Sequence, residues 1–395
     1  MHDLLKITLV FVFILLLLRK KINIGFVMLA GAAFLFILYD MPLALIYATG
    51  KNAVLNQVTI KLTLALSFIR MFELILREHD VLTEMMNAVK ALFKNRKIVT
   101  VSMPLLIGLM PSVGGAYFSA PMVAEMTRDI EMSPEEKGFI NYWFRHPWEY
   151  VLPLYPGVLL AAAITKIELH TLITANSTYA ALLLVAGFLF AMRGLHGPIQ
   201  LKEKVSTKGL WSFIPIAAVL LLVVIFHVEL SYALISAVLF LLIFYRYKVK
   251  AVLNIIRHGF AFDVIILILG VMLFKEAMET SGAVKGMSEF FLQEGVPVLP
   301  ILFFLPFITG ILTGLTVGFV SSTFPLIMSI AGTSVSAISF AFAAGFLGVL
   351  LSPVHICLVL TREYFKADMW GIYKLMIPGC IIIFIGALIQ YLLLQ

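Results

Sequence analysis

Two short segments of this sequence hold most of the residues that could bind a polar ligand. In Pro111-Ser112-Val113-Gly114-Gly115, the proline lacks a backbone donor and the glycines free the backbone, so a helix should break there. A half-helix restarting after Gly115 would point its first amides, with the hydroxyl of Ser119, into the gap, and Ser112, Gly114, Gly115 and Ser119 become candidate ligands for an anion or polar solute. Thr316, Gly318, Ser321, Ser322 and Thr323 offer the same chemistry with more hydroxyls. Unwound carbonyls at opposed half-helix ends also suit Na⁺, so no metal is expected beyond sodium at these tips. The competing role is packing, because Gly310, Gly314 and Gly318 recur at the four-residue spacing that lets helices approach closely.

Two further breaks carry candidates for proton coupling or gating: Glu149 and Pro153 at the first, Ser352 and His355 at the second. At 1.5 Å per residue, His355 lies about 10 Å inside the boundary marked by Arg362, and Glu149 about 16 Å from the start of its span. Ionisable groups at such depth are functional hypotheses by default. Arg145 or His146, one turn away, could instead neutralise Glu149. His355 could titrate near neutrality or act as a structural donor beside its break. Arg70 with Glu73, and Lys275 with Glu276, read as self-satisfied pairs; Lys61 reads as a snorkelling side chain and Asp263 as interfacial. Cys357 and Cys380 lie in apolar runs and read as small buried hydrophobes rather than a disulfide or metal site.

The elements that must position these residues are set by composition. Of 395 residues, 62% are apolar and 13% charged, with a mean hydropathy of +1.04, against roughly 45–50% and about 25% in soluble domains. A soluble enzyme, a nucleic-acid binder and a disordered chain are excluded, and an all-α polytopic membrane protein is expected in the lipid bilayer. Apolar runs at 4–18, 22–39, 53–76, 138–165, 175–192, 210–226, 229–245, 259–278, 334–361 and 371–394 suit helices spanning the membrane. Two more, 98–126 and 296–330, are peppered with Gly, Pro, Ser and Thr.

Basic residues orient the runs. Clusters at Arg19–Lys21, Arg77–Lys97, Arg193–Lys208, Arg246–Arg257 and Arg362–Lys374 hold 19 of the 29 Lys and Arg. If these loops are cytoplasmic, both termini lie outside the plasma membrane. Loops 78–97 and 127–137 then share a face only if 98–126 enters and returns, and 296–330 must do the same from outside. Ten spans and two re-entrant hairpins follow. The first run lacks a small-residue cleavage site and reads as a retained span; no lipidation motif is evident.

The chain also repeats. Phe72 onward aligns with Phe274 onward, Pro111–Pro121 with Leu315–Pro325, and Val151-Leu152-Pro153 with Leu351-Ser352-Pro353, at offsets of 202, 204 and 200. The loop count inverts the two copies. The expected organisation is a two-span scaffold at 1–50, a first repeat at 51–195, a linker with two central spans at 196–252, and a second repeat at 253–395. Inverted repeats with interrupted helices in matching places point to a secondary transporter.

The ten-span pattern, PSVGGAYFSAP (111–121), TGLTVGFVSSTFP (313–325) and SPVHICLVLTREYF (352–365) resemble the membrane family called domain of unknown function 401. That family is similar to the ion transporter superfamily of citrate, gluconate, dicarboxylate and arsenite carriers. The resemblance implies inverted repeats, each with a re-entrant hairpin and a broken helix, a dimerising scaffold and elevator-like movement. The dicarboxylate carriers' Ser-Asn-Thr signatures are missing. Neither hairpin contains Asn, and Asn176-Ser177-Thr178 lies outside them. Their substrate specificity and sodium chemistry therefore do not carry over.

The expected function is ion-coupled secondary transport of a small polar or anionic solute by alternating access, driven by Na⁺ or H⁺ and needing no other cofactor. No Walker motif occurs, which excludes ATP hydrolysis on this chain. The alternatives are an intramembrane enzyme acting on a lipid-linked substrate, for which His146 and Glu149 would supply acid–base chemistry, and a passive channel.

Overall fold

The computed structural model describes residues 2–20, 22–93, 95–111, 115–191, 195, 207–295 and 297–394. Ser112, Val113, Gly114, Lys21, Lys94, Arg193, Lys202 and Lys204 lie outside the described residues. The described residues form helices and their connections, with no strand.

The chain opens with α1 (His2–Arg19), α2 (Ile24–Leu38), α3 (Leu43–Leu55), α4 (Gln57–Glu78) and α5 (Val81–Leu92). Next come α6 (Arg96–Gly108) and α7 (Gly115–Met126), then α8 (Pro134–Trp143), α9 (Trp148–Val151), α10 (Pro156–Thr165) and α11 (Leu169–Ala191). A 3₁₀ turn (Thr207–Phe213), α12 (Ile214–Leu220) and a π turn (Leu221–Ile225) lead to α13 (Leu230–Phe244), α14 (Val249–Gly259), α15 (Phe262–Thr280) and α16 (Ala283–Glu294). The chain ends with α17 (Val298–Thr313), α18 (Thr316–Ala331), α19 (Val335–Leu350), α20 (Ile356–Phe365) and α21 (Met369–Leu393). From α4 onward the first half thus presents a long helix, a short helix, a helix pair, a broken helix and a second long helix, and the second half repeats that order from α15.

Local chemistry sets the boundaries. Asn56 caps α4 by accepting from the Val58 amide, which separates it from α3 inside what reads in sequence as one run. Ser133 and Glu136 form a capping box at the start of α8. Lys166 and Lys366, both left-handed, terminate α10 and α20. Among the described residues, three stretches are long and apolar enough to cross a membrane, Pro134–Thr165 taken through its breaks, Leu169–Phe190 and Met369–Leu393, and seven further apolar helices have 10–17 residues. The shortness comes from breaks such as Asn56 between α3 and α4 and Gly314 between α17 and α18, whereas Pro104, Pro121, Pro306, Pro325 and Pro378 lie inside continuous helices.

Helices α6 and α7 pack side by side, as do α17 and α18. The outer ends of the first pair are joined: Arg96 bonds Asp129 at 2.5 Å and Lys90 approaches Glu125 at 3.4 Å. Both legs therefore begin and end at one level. The Arg96 hydrogen bond holds the exposed Asp129 carboxyl below the usual carboxylate range. A carboxylate depressed in the folded state adds stability above its unfolded value and loses it as pH falls, so this clasp is present at neutral pH and opens on acidification.

Three charge pairings differ from the sequence expectation. Arg70 bonds Asp263 on α15 at 2.8 Å, while Glu73 approaches Arg77 at 3.6 Å. Lys61 meets Glu229 at 3.4 Å. Neighbouring segments bring Asp263 to Arg70 and Glu229 to Lys61, while Glu73 pairs with Arg77 one turn along α4 itself. Lys275 pairs with Glu276 as expected, and with Glu279 at 3.0 Å.

Candidate functional site

Each half contributes one helix pair and one broken helix, and these interlock crosswise. Helix α7 packs on α20, and α18 packs on α10. As a result, the N-terminal ends of α7, α10, α18 and α20 lie in one cluster of touching residues, with several ionisable side chains among them.

Glu149, on α9, is largely buried, its side chain 13% exposed. Thr316, the first residue of α18, donates its hydroxyl to Glu149 Oε2 at 2.6 Å, and the other carboxylate oxygen, Oε1, lies 3.7 Å from His146 Nε2. The His146 ring places Nδ1 at 2.5 Å from the Tyr142 carbonyl and Nε2 at 3.1 Å from His355 Nε2. The ring of His355 in turn places Nδ1 at 2.6 Å from the Gly314 carbonyl. Gly314 ends α17 in the left-handed region (φ +62°), and a Cβ there would lie 2.9 Å from the His355 amide, so glycine suits this corner on both counts. Cys357 completes the group: its Sγ and the two imidazoles offer ligand atoms within 4.8 Å of one another, all three residues buried.

Arg145 occupies the gap between α8 and α9 at 3% exposure. Its guanidinium faces the start of α7, where a Cβ added to Gly115 would lie 2.2 Å from a guanidinium nitrogen, and it also meets the Cys357 thiol. Pro153 is buried in the turn between α9 and α10. Ser352, in the matching turn before α20, donates its hydroxyl to the Ile311 carbonyl of α17 at 2.6 Å. Tyr155 donates to the Gly108 carbonyl at 2.6 Å and Trp148 to the Leu105 carbonyl at 2.7 Å, tying the first broken helix to α6.

The other candidates occupy different places. Ser112 and Gly114 lie outside the described residues. Ser119 donates to Asn141 Oδ1 at 2.6 Å, and the Asn141 amide donates to the Ala116 carbonyl and to Thr361, both at 2.9 Å. Gly318 is buried, and a Cβ there would meet Thr313 Oγ1 at 2.8 Å. The hydroxyls of Ser321, Ser322 and Thr323 return to carbonyls of their own helix, Gly318 and Phe319, at 2.7–3.3 Å for their shortest bonds. Of the proposed ligands, Gly115 and Thr316 stand beside the charged cluster.

Arg145, Cys357, Asn141 and Tyr155 are absent from the sequence-derived set. An arginine inside an apolar stretch is itself a signal of function, and it stands four residues before Glu149; Cys357 offers no comparable signal until the fold sets it against two imidazoles. Asn141 joins α8 to α7 and α20, so Asn141→Leu is expected to leave the Ser119 and Thr361 hydroxyls without this partner. A loss of about 1–3 kcal/mol, read as a lowered unfolding temperature in detergent, checks this.

A cavity of about 650 Å³ is lined mainly by α4, α5, α7 and α15. Arg70, Glu73, Arg77, Asp80, His258 and Asp263 give it charged walls, and Met110, Pro111 and Pro156 place part of its lining at the breaks before α7 and α10.

The family model described as "Protein of unknown function (DUF401)" matches residues 4–394. Among solved structures, the fold is similar to that of the Alcanivorax borkumensis YdaH transporter, whose crystal structure is described as revealing an unusual topology. The TM-score is 0.60 at 13% identity, with 98% of each chain covered. No curated protein matches the sequence.

Proposed function

We infer that this chain, which belongs to the DUF401 family, is an ion-coupled secondary transporter in the plasma membrane that moves a small polar or anionic solute by alternating access. The observation that carries this reading is the meeting of four helix N-termini with the buried Arg145. Helix starts carry partial positive charge and unpaired amides. With a guanidinium among them, they form an environment suited to a carboxylate or similar oxyanion. The charged cavity ending at Pro111 and Pro156 supplies an approach to it. The fold it shares with a protein described as a transporter agrees with this function.

In this reading the two halves are inverted repeats, as in the ion transporter superfamily. The helix pairs and broken helices move as one unit against a scaffold that includes α1, α2, α12 and α13, in a homodimer with both termini outside. The coupling ion is Na⁺ or H⁺. Ser119, Gly318 and the hydroxyls of Ser321, Ser322 and Thr323 keep the helix pairs in shape, while Gly115 and Thr316 face the solute.

The test is a thermal-shift screen of small organic anions with and without Na⁺ at several pH values, followed by uptake into proteoliposomes under an imposed gradient. A ligand at 100 times its Kd adds about 2.7 kcal/mol to apparent stability, well within detection. Gly318→Leu, which crowds Thr313, and Ser119→Ala, which breaks the Asn141 bridge, are expected to abolish uptake while the protein remains folded in the membrane. Normal gradient-driven uptake by both variants would refute these assignments, and solute flux that ignores every gradient would refute coupled transport.

A further inference from the structure

The two facing imidazoles pose a chemical problem. A carbonyl oxygen can only accept, so the contacts of His146 Nδ1 with the Tyr142 carbonyl and of His355 Nδ1 with the Gly314 carbonyl make both Nδ1 atoms donors. A neutral imidazole has one donor nitrogen. Both Nε2 atoms are then acceptors, and they face each other at 3.1 Å with lone pair against lone pair. A proton that makes one ring an imidazolium, or a metal cation between the rings, relieves that contact.

We propose that His146, His355 and Cys357 form a three-ligand centre, with an open fourth position, for a borderline transition-metal cation of the Zn²⁺ or Co²⁺ type. The N···N separation is close to the roughly 3.3 Å that 2.0–2.1 Å bonds give in a tetrahedron. Cys357 Sγ lies in the same cluster, within 4.8 Å of the nitrogens. Glu149 Oε1 lies 3.7 Å from His146 Nε2, beside the three-ligand group rather than in it. The outer atoms of both imidazole ligands are already held, each Nδ1 by a backbone carbonyl. Such support orients metal ligands and fixes their tautomers. Two nitrogens and one sulfur select zinc-like ions over Na⁺, Mg²⁺ or Ca²⁺, which prefer oxygen alone. Binding releases the thiol proton to solvent. The thiolate bound to the ion and the nearby Glu149 carboxylate offset the divalent charge. The ion pins the break after α8 to the breaks that precede α18 and α20. This centre goes beyond the transport reading and does not depend on it.

Tag-free protein purified in detergent, stripped with chelator and titrated with Co²⁺ tests the proposal. The expected result is one Co²⁺ per chain, with a thiolate-to-cobalt charge-transfer band and the intense visible bands of tetrahedral cobalt. Cys357→Ser should remove the charge-transfer band. Wild-type protein that binds no stoichiometric Co²⁺, or binds it without the thiolate band, overturns the centre whatever the variant does. An undiminished band in folded Cys357→Ser overturns it equally.

Discussion

Arg145→Gln is expected to abolish high-affinity binding and uptake of the solute if that solute is an anion. A guanidinium bound to an oxyanion makes two charge-assisted hydrogen bonds. At about 1.5 kcal/mol each their loss is about 3 kcal/mol, more than a hundredfold in affinity. Arg145→Lys restores the charge without the planar fork and should recover only part of the affinity. Ligand-induced thermal shift gives the binding loss and proteoliposome uptake gives the transport loss. If Arg145→Gln binds an identified anionic solute as tightly as wild type, the anion site is elsewhere. Because Arg145 stands against the start of α7 and the Cys357 thiol, the melting temperature without ligand must be measured alongside, so that a folding defect is read separately.

Glu149→Leu carries the second large effect. Its carboxylate accepts from Thr316 and stands beside His146, with Arg145 close in sequence and in the same buried cluster. Removing one member of a buried charged group leaves the opposite charge uncompensated and costs about 3–5 kcal/mol. Thermal or denaturant unfolding in detergent should register a loss of that size. Glu149→Gln keeps an oxygen that can accept from Thr316, so most of the stability should survive while gradient-driven uptake is lost. Equal stability losses in the two variants would mean that Glu149 is held by packing rather than by its charge.

These two residues differ in how far their importance is readable along the chain. Glu149 stands out because an acidic residue deep in an apolar run is costly unless it is used. Arg145 sits four residues before it and reads in sequence merely as its neutralising neighbour, whereas the fold turns its guanidinium toward the start of α7. His146 and His355 are 209 residues apart, yet their Nε2 atoms lie 3.1 Å from each other. The hydroxyl-rich segment at Ser321, Ser322 and Thr323 shows the opposite case: its composition suggests ligands, but within a continuous helix these side chains bond carbonyls three and four residues back.

Sequence alone determines the apolar, all-helical character and some of the places where helices stop. These are local properties: hydrocarbon content requires burial or lipid, proline at Pro111 removes a donor, and glycine at Gly314 accepts a left-handed backbone. Tertiary structure alone decided which of the polar groups meet. The crosswise packing of α7 on α20 and α18 on α10 brings Arg145, His146, Glu149, Thr316, His355 and Cys357 to one place. That pairing depends on the shapes of surfaces hundreds of residues apart, which no spacing along the chain records.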